Sequence, residues 1–194
     1  MVRLGITGGI GSGKSYVSRL LQEDFGISVY NCDIRARLLM LSDPDLRSQL
    51  SSLIEGAYDT QGELDKRRLA DYLFASEEHA RRVNAIVHPA VRKDLHEWTS
   101  MLHYEDVLAV ESAILYEAGF DTEVDRVVFV DASQDLRIRR TMARDGLRRR
   151  QVLQRITTQR SEEARQRADY ILLNDGQANL HAQLTSILDS IKSP

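Results

Sequence analysis

The chain has 194 residues, of which 42% are hydrophobic and 28% are charged, proportions that are ordinary for a globular protein with a full core. Its net charge of −3 argues against nucleic acid as a partner, and no stretch approaches the roughly 18 consecutive apolar residues of a membrane span. Its single cysteine, Cys32, excludes an intramolecular disulfide and argues against a cysteine-based metal site, so we expect a cytoplasmic protein without a signal peptide.

Short apolar runs alternate with longer amphipathic runs along the chain. The apolar runs are rich in Val, Ile and Leu, which is typical of strands buried on both faces of a parallel sheet. They lie at Val2–Thr7, Ile27–Asn31, Val107–Glu111, Val127–Asp131 and Tyr170–Leu173. The amphipathic runs predict helices at Lys14–Phe25, Ile34–Leu41, Asp45–Ile54, Lys66–Phe74, Glu77–Met101, Leu136–Arg144, Arg150–Arg167 and Ala178–Ile191. Strands separated by helices predict an α/β fold, with a five-stranded parallel sheet flanked by helices.

The spacing of the predicted strands is uneven. Roughly 75 residues separate the second strand from the third, far more than one crossover helix requires, so we expect a helical insertion at about 42–104. A shorter insertion at about 144–167 precedes the last strand. We expect both insertions to belong to one domain spanning 1–194. Within the first insertion, Pro89 follows His88 in a helical pattern and predicts a kink or break there.

The strongest motif is the run Gly8-Gly9-Ile10-Gly11-Ser12-Gly13-Lys14-Ser15, which matches the phosphate-loop pattern G-x-x-x-x-G-K-[ST] in full. A predicted strand precedes it and a predicted helix follows it, as a P-loop requires. Its glycines let successive backbone N–H groups point at phosphate, and the helix adds its positive end. We expect Lys14 to reach the β- and γ-phosphates and the Ser15 hydroxyl to hold Mg²⁺. No lysine of the chain lies in the Asn/Thr-Lys-x-Asp motif of guanine-specific GTPases, which favours a kinase that uses ATP.

Acidic residues lie at the predicted carboxyl ends of the strands, where an open α/β sheet forms its ligand crevice. Phosphoryl transfer needs one carboxylate to accept or orient the acceptor's hydroxyl proton and another to organise Mg²⁺. Asp33 is the candidate base, with a helix N-cap as its alternative role. Glu111 suits the magnesium or its water shell, with a helix-start acid as the alternative, and Glu117 lies nearby. Asp131 suits a cap beside Ser133 better than catalysis.

Nine arginines lie between positions 137 and 160, and most of them are expected on a solvated face. Arg140 and Arg144 are four residues apart and therefore share one helix face. Because arginine suits stabilisation of a transferring phosphoryl group, we expect these two residues to lead into a lid at about 144–167. The nine positions are 137, 139, 140, 144, 148, 149, 150, 155 and 160.

The first insertion offers two sets of candidate acceptor contacts. His88 suits either a contact to an acceptor phosphate or a structural cap at a helix end. A basic and aromatic cluster suits an anionic acceptor, although a solvated face explains its charges equally well. Its members are Tyr58, Lys66, Arg67 and Arg68.

These residues resemble the dephospho-CoA kinase family along nearly the whole chain. The stretch Leu4–Ser15 is similar to that family's phosphate loop, and Asn84–Pro89 is similar to its Asn-x-x-x-His-Pro element. Gly62–Lys66 resembles a Gly-x-Leu-Asp-Arg stretch in which lysine replaces the usual arginine. Further matches occur in the lid and near the last strand, at Arg140, Arg144, Arg155, Ile156, Gln159, Ala168, Asp169, Asn174, Asp175 and Gly176.

The resemblance implies ATP-dependent phosphorylation of the ribose 3′-hydroxyl of dephospho-CoA, which gives coenzyme A and ADP in the last step of coenzyme A synthesis. It implies that Asp33 takes or orients the hydroxyl proton, and that Lys14 and Arg140 stabilise the transferred phosphoryl group. The predicted ATP-binding residues are Gly9, Gly11, Ser12, Gly13, Lys14, Ser15, Tyr16, Arg140 and Arg144. The predicted acceptor-binding residues are Asp33, Lys66, His88 and Glu111.

The chain departs from the family's pattern in two places. Asn31 stands where the family usually has the first aspartate of Asp-Ala-Asp, while the second aspartate is kept as Asp33. Glu111–Glu117 stands where the family has Asp-Val-Pro-Leu-Leu-Phe-Glu, so both acidic positions keep a carboxylate but the proline is lost. We expect a divergent member that keeps its activity.

Three other functions stay open from the sequence. The chain could phosphorylate a nucleoside or a nucleoside monophosphate, and a panel of acceptors separates these activities. It could be a non-catalytic module in which ATP orders the arginine-rich lid for a partner, although Asp33 and Glu111 argue against that. The arginines could bind nucleic acid, which conflicts with the net charge and is testable by salt dependence. The sequence identifies no protein partner.

Overall fold

The computed structural model describes residues 1–159 and 161–192. The chain divides into two compact units, of which the first consists of Met1–Asn31 together with Tyr104–Pro194 and the second of Cys32–His103. The second unit begins at Cys32, upstream of the boundary at about residue 42 that the strand spacing predicts for the helical insertion.

The first unit is built on a parallel five-stranded sheet with the strand order β2-β3-β1-β4-β5. This sheet confirms the predicted fold class. The strands are β1 (Val2–Thr7), β2 (Val29–Asn31), β3 (Val107–Glu111), β4 (Arg126–Asp131) and β5 (Tyr170–Leu173). The chain passes from β3 on one side of β1 to β4 on the other, and ligand crevices form at such switch points. In the register of β1 with β3, Ile6 pairs with Glu111, so this acid lies beside the end of β1.

Helices cover this sheet, and the first and the last of them share an apolar core with it. In the described part of the unit they are α1 (Lys14–Phe25), α6 (Gln134–Asp145), α7 (Arg149–Thr158), α8 (Ser161–Arg167) and α9 (Leu180–Lys192). Val17 and Leu21 of α1 pack with Ile6 and Val128 of the sheet and with Leu184 of α9, and all five are buried. This packing fixes the start of α1 directly behind the phosphate loop.

The prediction of one helix over Arg150–Arg167 is wrong, because α7 ends at Thr158 and α8 begins at Ser161. Gln159 between them has an extended backbone, with φ −88° and ψ 127°. Its side chain accepts a hydrogen bond from the Ile10 N–H at 2.8 Å and donates one to the Ala113 carbonyl at 2.9 Å. Gln159 therefore bonds to distant segments of the chain at the point where α7 ends. Arg160, one of the nine arginines, lies outside the described residues.

The second unit is helical, with α2 (Cys32–Ser42), α3 (Pro44–Leu53), α4 (Lys66–Ala75) and α5 (Glu77–Met101). The Asp43 side chain caps α3, whose first residue is Pro44, and the Ser76 side chain caps α5. Asp65 caps α4 in the same way. These caps satisfy backbone N–H groups that would otherwise lack partners at the helix starts.

The prediction was a kink or a break at His88, and the break is wrong because α5 runs without interruption through Pro89. A kink there stays a prediction. A buried stripe with four-residue spacing lies on both sides of the proline and packs the two halves of the helix on one face. This stripe consists of Val83, Val87, Val91 and Leu95. None of the helices in the described residues, α5 included, is long and apolar enough to cross a membrane.

Candidate active site

The loop Gly8–Ser15 joins β1 to α1, and its shape depends on glycine. Gly11 and Gly13 have φ angles of 76° and 98°, a left-handed region that side-chain-bearing residues disfavour. A Cβ atom on Gly13 would overlap Nδ2 of Asn174, so the loop also packs too closely for a side chain there. Gly13 directly precedes Lys14, the first residue of α1, which places the positive helix end at the loop.

Seven of the nine predicted ATP-binding residues line one cavity of about 180 Å³, and Gly9 and Ser12 are not among its lining residues. Nζ of Lys14 donates hydrogen bonds to the carbonyl oxygens of Gly8 and Gly9, at 2.8 and 3.3 Å, and so lies against the loop. The structure brings loop, lysine and helix α6 together at this cavity. Its lining residues are Gly11, Gly13, Lys14, Ser15, Tyr16, Arg140 and Arg144.

Ser15, Glu111 and Asn31 form a hydrogen-bonded chain beside the loop. The Ser15 hydroxyl donates to Oε1 of Glu111 at 2.8 Å, and Nδ2 of Asn31 donates to Oε2 at 2.8 Å. Glu111 is only 3% exposed, and a buried carboxylate needs such partners. The Ser15 hydroxyl and the Glu111 carboxylate are the hard oxygen donors that Mg²⁺ prefers, so this pair fits a magnesium ion.

The other strand-end acids each have an environment of their own. Asp33 is exposed and lies in the first turn of α2, inside the helix rather than at its N-cap. Glu117 lines a separate cavity of about 120 Å³ with Tyr116 and Arg167. The Asp131 carboxylate accepts a hydrogen bond from Arg165 at 3.1 Å, so its charge is used by an ion pair with α8 and not by a cap of α6.

Arg140 is held at the loop by Asn174, a residue that the sequence analysis named only as a match to the family pattern. Its guanidinium donates to the Ser12 carbonyl at 3.3 Å, the Asn174 carbonyl at 3.0 Å and Oδ1 of Asn174 at 3.2 Å. Asn174 is 6% exposed and donates from Nδ2 to the Ser12 carbonyl at 2.8 Å. Asn174 follows β5 directly, and strand-end position is the signal that identifies it.

Arg144 lines the phosphate cavity but is also paired within α6. Its Nε and its Nη2 donate to the two carboxylate oxygens of Asp145 at 2.7 and 3.0 Å. These hydrogen bonds raise the pKa of Arg144 and lower the pKa of Asp145. Arg155 of α7 lies 3.9 Å from the same carboxylate. Arg144 is therefore tethered at the edge of the cavity by Asp145.

Arg137 and Gln159 contact the loop although neither was among the predicted site residues. Nε of Arg137 donates to the Ile10 carbonyl at 3.0 Å, and burial lowers the pKa of its guanidinium. Oε1 of Gln159 accepts from the Ile10 N–H at 2.8 Å. Arg137 precedes Arg140 by three residues and so lies on the same side of α6, which is the signal that could have identified it.

A larger cleft of about 600 Å³ adjoins the phosphate cavity and shares Gly13, Tyr16 and Arg140 with it. Its wall combines polar groups with apolar side chains, a mixture typical of small-molecule sites. His181 of this wall stacks on Phe25 with ring centroids 4.7 Å apart. The remaining lining residues are Leu20, Asn174, Gly176, Ala178, Asn179 and Leu180.

The predicted acceptor residues of the second unit have varied environments. Lys66 is exposed and is the first residue of α4. His88 is half-buried in the middle of α5, so it caps no helix end, and burial followed by the charge of Arg92 lowers its pKa. The Tyr58 hydroxyl donates to the Met40 carbonyl at 2.6 Å, and burial raises its pKa.

The two arginines of the predicted basic cluster pair within α4 and its cap. Arg67 lies 3.9 Å from Asp71, and Arg68 lies 3.5 Å from Asp65. All four side chains are well exposed, which agrees with the solvated face given as the alternative.

A glycine-rich loop after a central parallel strand, with Lys14, Ser15 and Arg140 around one cavity, defines a P-loop kinase. The chain belongs to the dephospho-CoA kinase family, whose model matches residues 2–179. That family phosphorylates dephospho-CoA with ATP in coenzyme A biosynthesis, and its assignment confirms the resemblance drawn from the sequence.

Individual relatives agree with this assignment over almost the full length. The chain is 42% identical to a dephospho-CoA kinase of Bacteroides fragilis, over 96% of this chain and 91% of the relative. It is 40% identical to one of Porphyromonas gingivalis, over 100% and 96% of the two chains. A crystal structure of a Thermus thermophilus protein superimposes with a TM-score of 0.87 at 33% identity, covering 100% of this chain and 98% of the other.

Proposed function

We propose that this chain transfers the γ-phosphoryl group of ATP to the ribose 3′-hydroxyl of dephospho-CoA, with Asp33 as base and Lys14 and Arg140 stabilising the transferred group. The observation that carries the proposal is the cavity shared by Lys14, Ser15 and Arg140 beside a cleft large enough for a nucleoside. The identity of the acceptor is inferred from membership of the dephospho-CoA kinase family. MgATP and dephospho-CoA are the partners, and the cytoplasm is the expected compartment.

The nucleotide binds along the two adjoining cavities. The loop's N–H groups and the positive end of α1 bind the phosphates, because both favour anions. Lys14 and Arg140 add two positive charges at the same cavity, and positioned cations are the main source of rate in phosphoryl transfer. The nucleoside lies in the cleft of about 600 Å³, between Tyr16 and the segment after β5.

Mg²⁺ bound with ATP supplies neutralisation of the phosphate charge. The Ser15 hydroxyl and the Glu111 carboxylate would hold it, directly or through water. Asn31 orients this carboxylate, because it donates to the oxygen that Ser15 does not contact. The predicted contact of Glu111 with the acceptor remains a prediction.

Asp33 accepts the proton of the attacking hydroxyl. The hydroxyl oxygen bonds to the γ-phosphorus as the bond from that phosphorus to the β,γ-bridging oxygen breaks, and ADP leaves. The Asp33 side chain is exposed, and a positioned base contributes about 10² to 10⁴ in rate.

The second unit binds the acceptor through Lys66 and His88. The exposed ammonium of Lys66 suits a phosphate of dephospho-CoA. Because its pKa is lowered by burial, His88 is neutral at pH 7 and contacts the acceptor through a hydrogen bond rather than through charge.

The test is release of ADP by the purified chain with MgATP and dephospho-CoA, beside a panel of nucleosides and nucleoside monophosphates. Turnover that depends on dephospho-CoA is expected, and its absence would overturn the acceptor. Asp33→Asn is expected to lower kcat by about 10² or more. Asp45→Asn is the matched control, because Asp45 is the second residue of α3 as Asp33 is of α2, and both are exposed. If Asp33→Asn loses no more activity than the control, Asp33 is not the base.

A further inference from the structure

Ile10 is the one large apolar residue of the phosphate loop Gly8–Ser15. Its side chain packs against an apolar cluster formed by α6 and α7. The buried members of that cluster are Ile138, Val152 and Ile156. The loop is therefore attached to α6 and α7 by a side chain that has no polar group to offer a phosphate.

Both backbone polar groups of Ile10 are held from the same side. Its N–H donates to Oε1 of Gln159 at 2.8 Å, and its carbonyl accepts from Nε of Arg137 at 3.0 Å. Gln159 also donates from Nε2 to the Ala113 carbonyl at 2.9 Å and to the Gly8 carbonyl at 3.4 Å. Ile10 thus has three separate attachments to the end of α7 and to α6.

The contact between loop and α6 leaves no room for adjustment. A Cβ atom on Gly9 would overlap the Arg137 guanidinium, and one on Gly11 would lie 2.5 Å from Oγ1 of Thr141. Thr141 is fully buried and donates to the Arg137 carbonyl at 2.8 Å. In such close packing, a shift of the loop must be shared by α6 or must break the contact.

We infer that Ile10 is a positioning residue that couples the α6–α7 pair to the phosphate loop, so that nucleotide binding and the order of α7 stabilise each other. The coupling acts at a distance, because no described residue of α7 lines the phosphate cavity or the adjoining cleft. Reciprocity follows from linkage: a nucleotide that stabilises α7 is itself bound more tightly when α7 is ordered. The inference rests on the proposed nucleotide site.

The experiment is hydrogen exchange of the α7 amides (149–158) in the full chain, with and without saturating ADP. In the wild type, ADP is expected to slow this exchange. Ile10→Ala keeps the N–H and the carbonyl and removes only the side chain. It is expected to raise the Kd for ADP about fivefold or more, which is the lower end of typical coupling between two sites. It is also expected to abolish most of the slowing of α7 exchange that saturating ADP produces. Gln159→Met removes the amide hydrogen bonds at similar length and is expected to act in the same direction.

Leu153→Ala is the matched control, because Leu153 packs on the same apolar cluster but belongs to α7 itself. It is expected to speed exchange of α7 without ADP while keeping the slowing that ADP produces. A merely structural Ile10 would behave like Leu153. The inference is overturned if ADP binds the wild type without slowing α7, or if folded Ile10→Ala and Gln159→Met both keep the full slowing. Failure of the wild type to bind ADP would instead overturn the proposed nucleotide site, and the coupling with it.

Discussion

Nδ2 of Asn31 lies 2.8 Å from Oε2 of Glu111, and this hydrogen bond joins the ends of two neighbouring strands, β2 and β3. The resembled family usually has an aspartate at the position of Asn31. An aspartate here would face a buried carboxylate at hydrogen-bond distance, and two like charges so close disfavour each other. The amide removes that conflict and supplies a donor, which accounts for Asn31 beside Glu111.

Replacing Asn31 with aspartate is expected to destabilise the chain. Asn31→Asp loses the hydrogen bond to Glu111 and adds a like charge, for a loss of about 1–3 kcal/mol in the free energy of unfolding. Urea denaturation without nucleotide measures it. Asn179→Asp is the control, because Asn179 uses its Oδ1 to accept from the Ala182 N–H, a bond that aspartate retains. Equal stability of Asn31→Asp and the wild type would contradict the account of this pair.

Glu111 and Glu117 can be separated by their dependence on Mg²⁺. Glu111→Gln keeps a hydrogen-bonding side chain beside Ser15 but removes the charge, so the Mg²⁺ concentration for half-maximal activity is expected to rise about tenfold or more. Glu117→Gln is expected to change it by less than about twofold, because Glu117 lines a different cavity. Titration of ADP release with Mg²⁺ at saturating ATP measures both. If both variants change the Mg²⁺ concentration for half-maximal activity to a similar extent, Glu111 does not hold the magnesium ion.

Local patterns predicted the part of the site that is contiguous in the chain. The phosphate loop is one run of residues. Strand-end reasoning put Glu111 at the carboxyl end of β3, and the pairing of Ile6 with Glu111 shows that this end lies beside the end of β1. The strands were predictable for the same reason, since burial on both faces leaves continuous apolar runs. Asp33 was found as a strand-end acid, but its base role still depends on the proposed mechanism.

The rest of the site depends on contacts between residues far apart in the chain. Arg137 bonds a residue 127 positions away, Gln159 one 149 positions away and Asn174 one 162 positions away. The spacing of Arg137 and Arg140 places both on one side of α6, but no local pattern shows that Arg137 bonds to Ile10. The same long-range bonds of Gln159 explain why periodicity failed to show the end of α7. At Pro89, tertiary packing of the buried stripe overrode a reliable local helix-breaking signal.

Gly13 and Gly26 allow a test of the loop within one helix, because they flank α1 and both are left-handed, with φ angles of 98° and 66°. Alanine at Gly26 meets nothing within 4 Å, so Gly26→Ala is expected to cost only the backbone strain of about 1–2 kcal/mol. Alanine at Gly13 also overlaps Asn174, so Gly13→Ala is expected to cost about 1–3 kcal/mol more. Urea denaturation measures the stabilities, and the rise in Tm with ADP measures binding. ADP is expected to raise the Tm of Gly26→Ala but not that of Gly13→Ala, and equal rises would contradict the need for glycine at Gly13.

His88 is expected to make the free energy of unfolding depend on pH at and below its ordinary pKa of 6.5. Its folded-state pKa lies below the ordinary value of 6.5, first because of burial and then because of the charge of Arg92. The unfolded chain therefore takes up the proton first as the pH falls. Above pH 6.5 His88 is neutral in both states and does not lower the free energy of unfolding. As the pH falls below 6.5 and through the folded pKa, the free energy of unfolding decreases progressively.

Two variants test this dependence by urea denaturation at pH 7.5 and 5.5. His88→Gln is expected to lose less stability between these pH values than the wild type, because its side chain does not titrate. Arg92→Gln keeps the histidine but removes a positive charge that disfavours its protonation, so the loss is expected to shrink only in part. The expected loss of stability is therefore largest in the wild type, smaller in Arg92→Gln and smallest in His88→Gln. Arg92→Gln is intermediate because burial, the larger cause of the lowered pKa, remains in that variant. If His88→Gln loses as much stability as the wild type, the pH dependence belongs to other groups, and the neutral His88 proposed for acceptor binding loses its support.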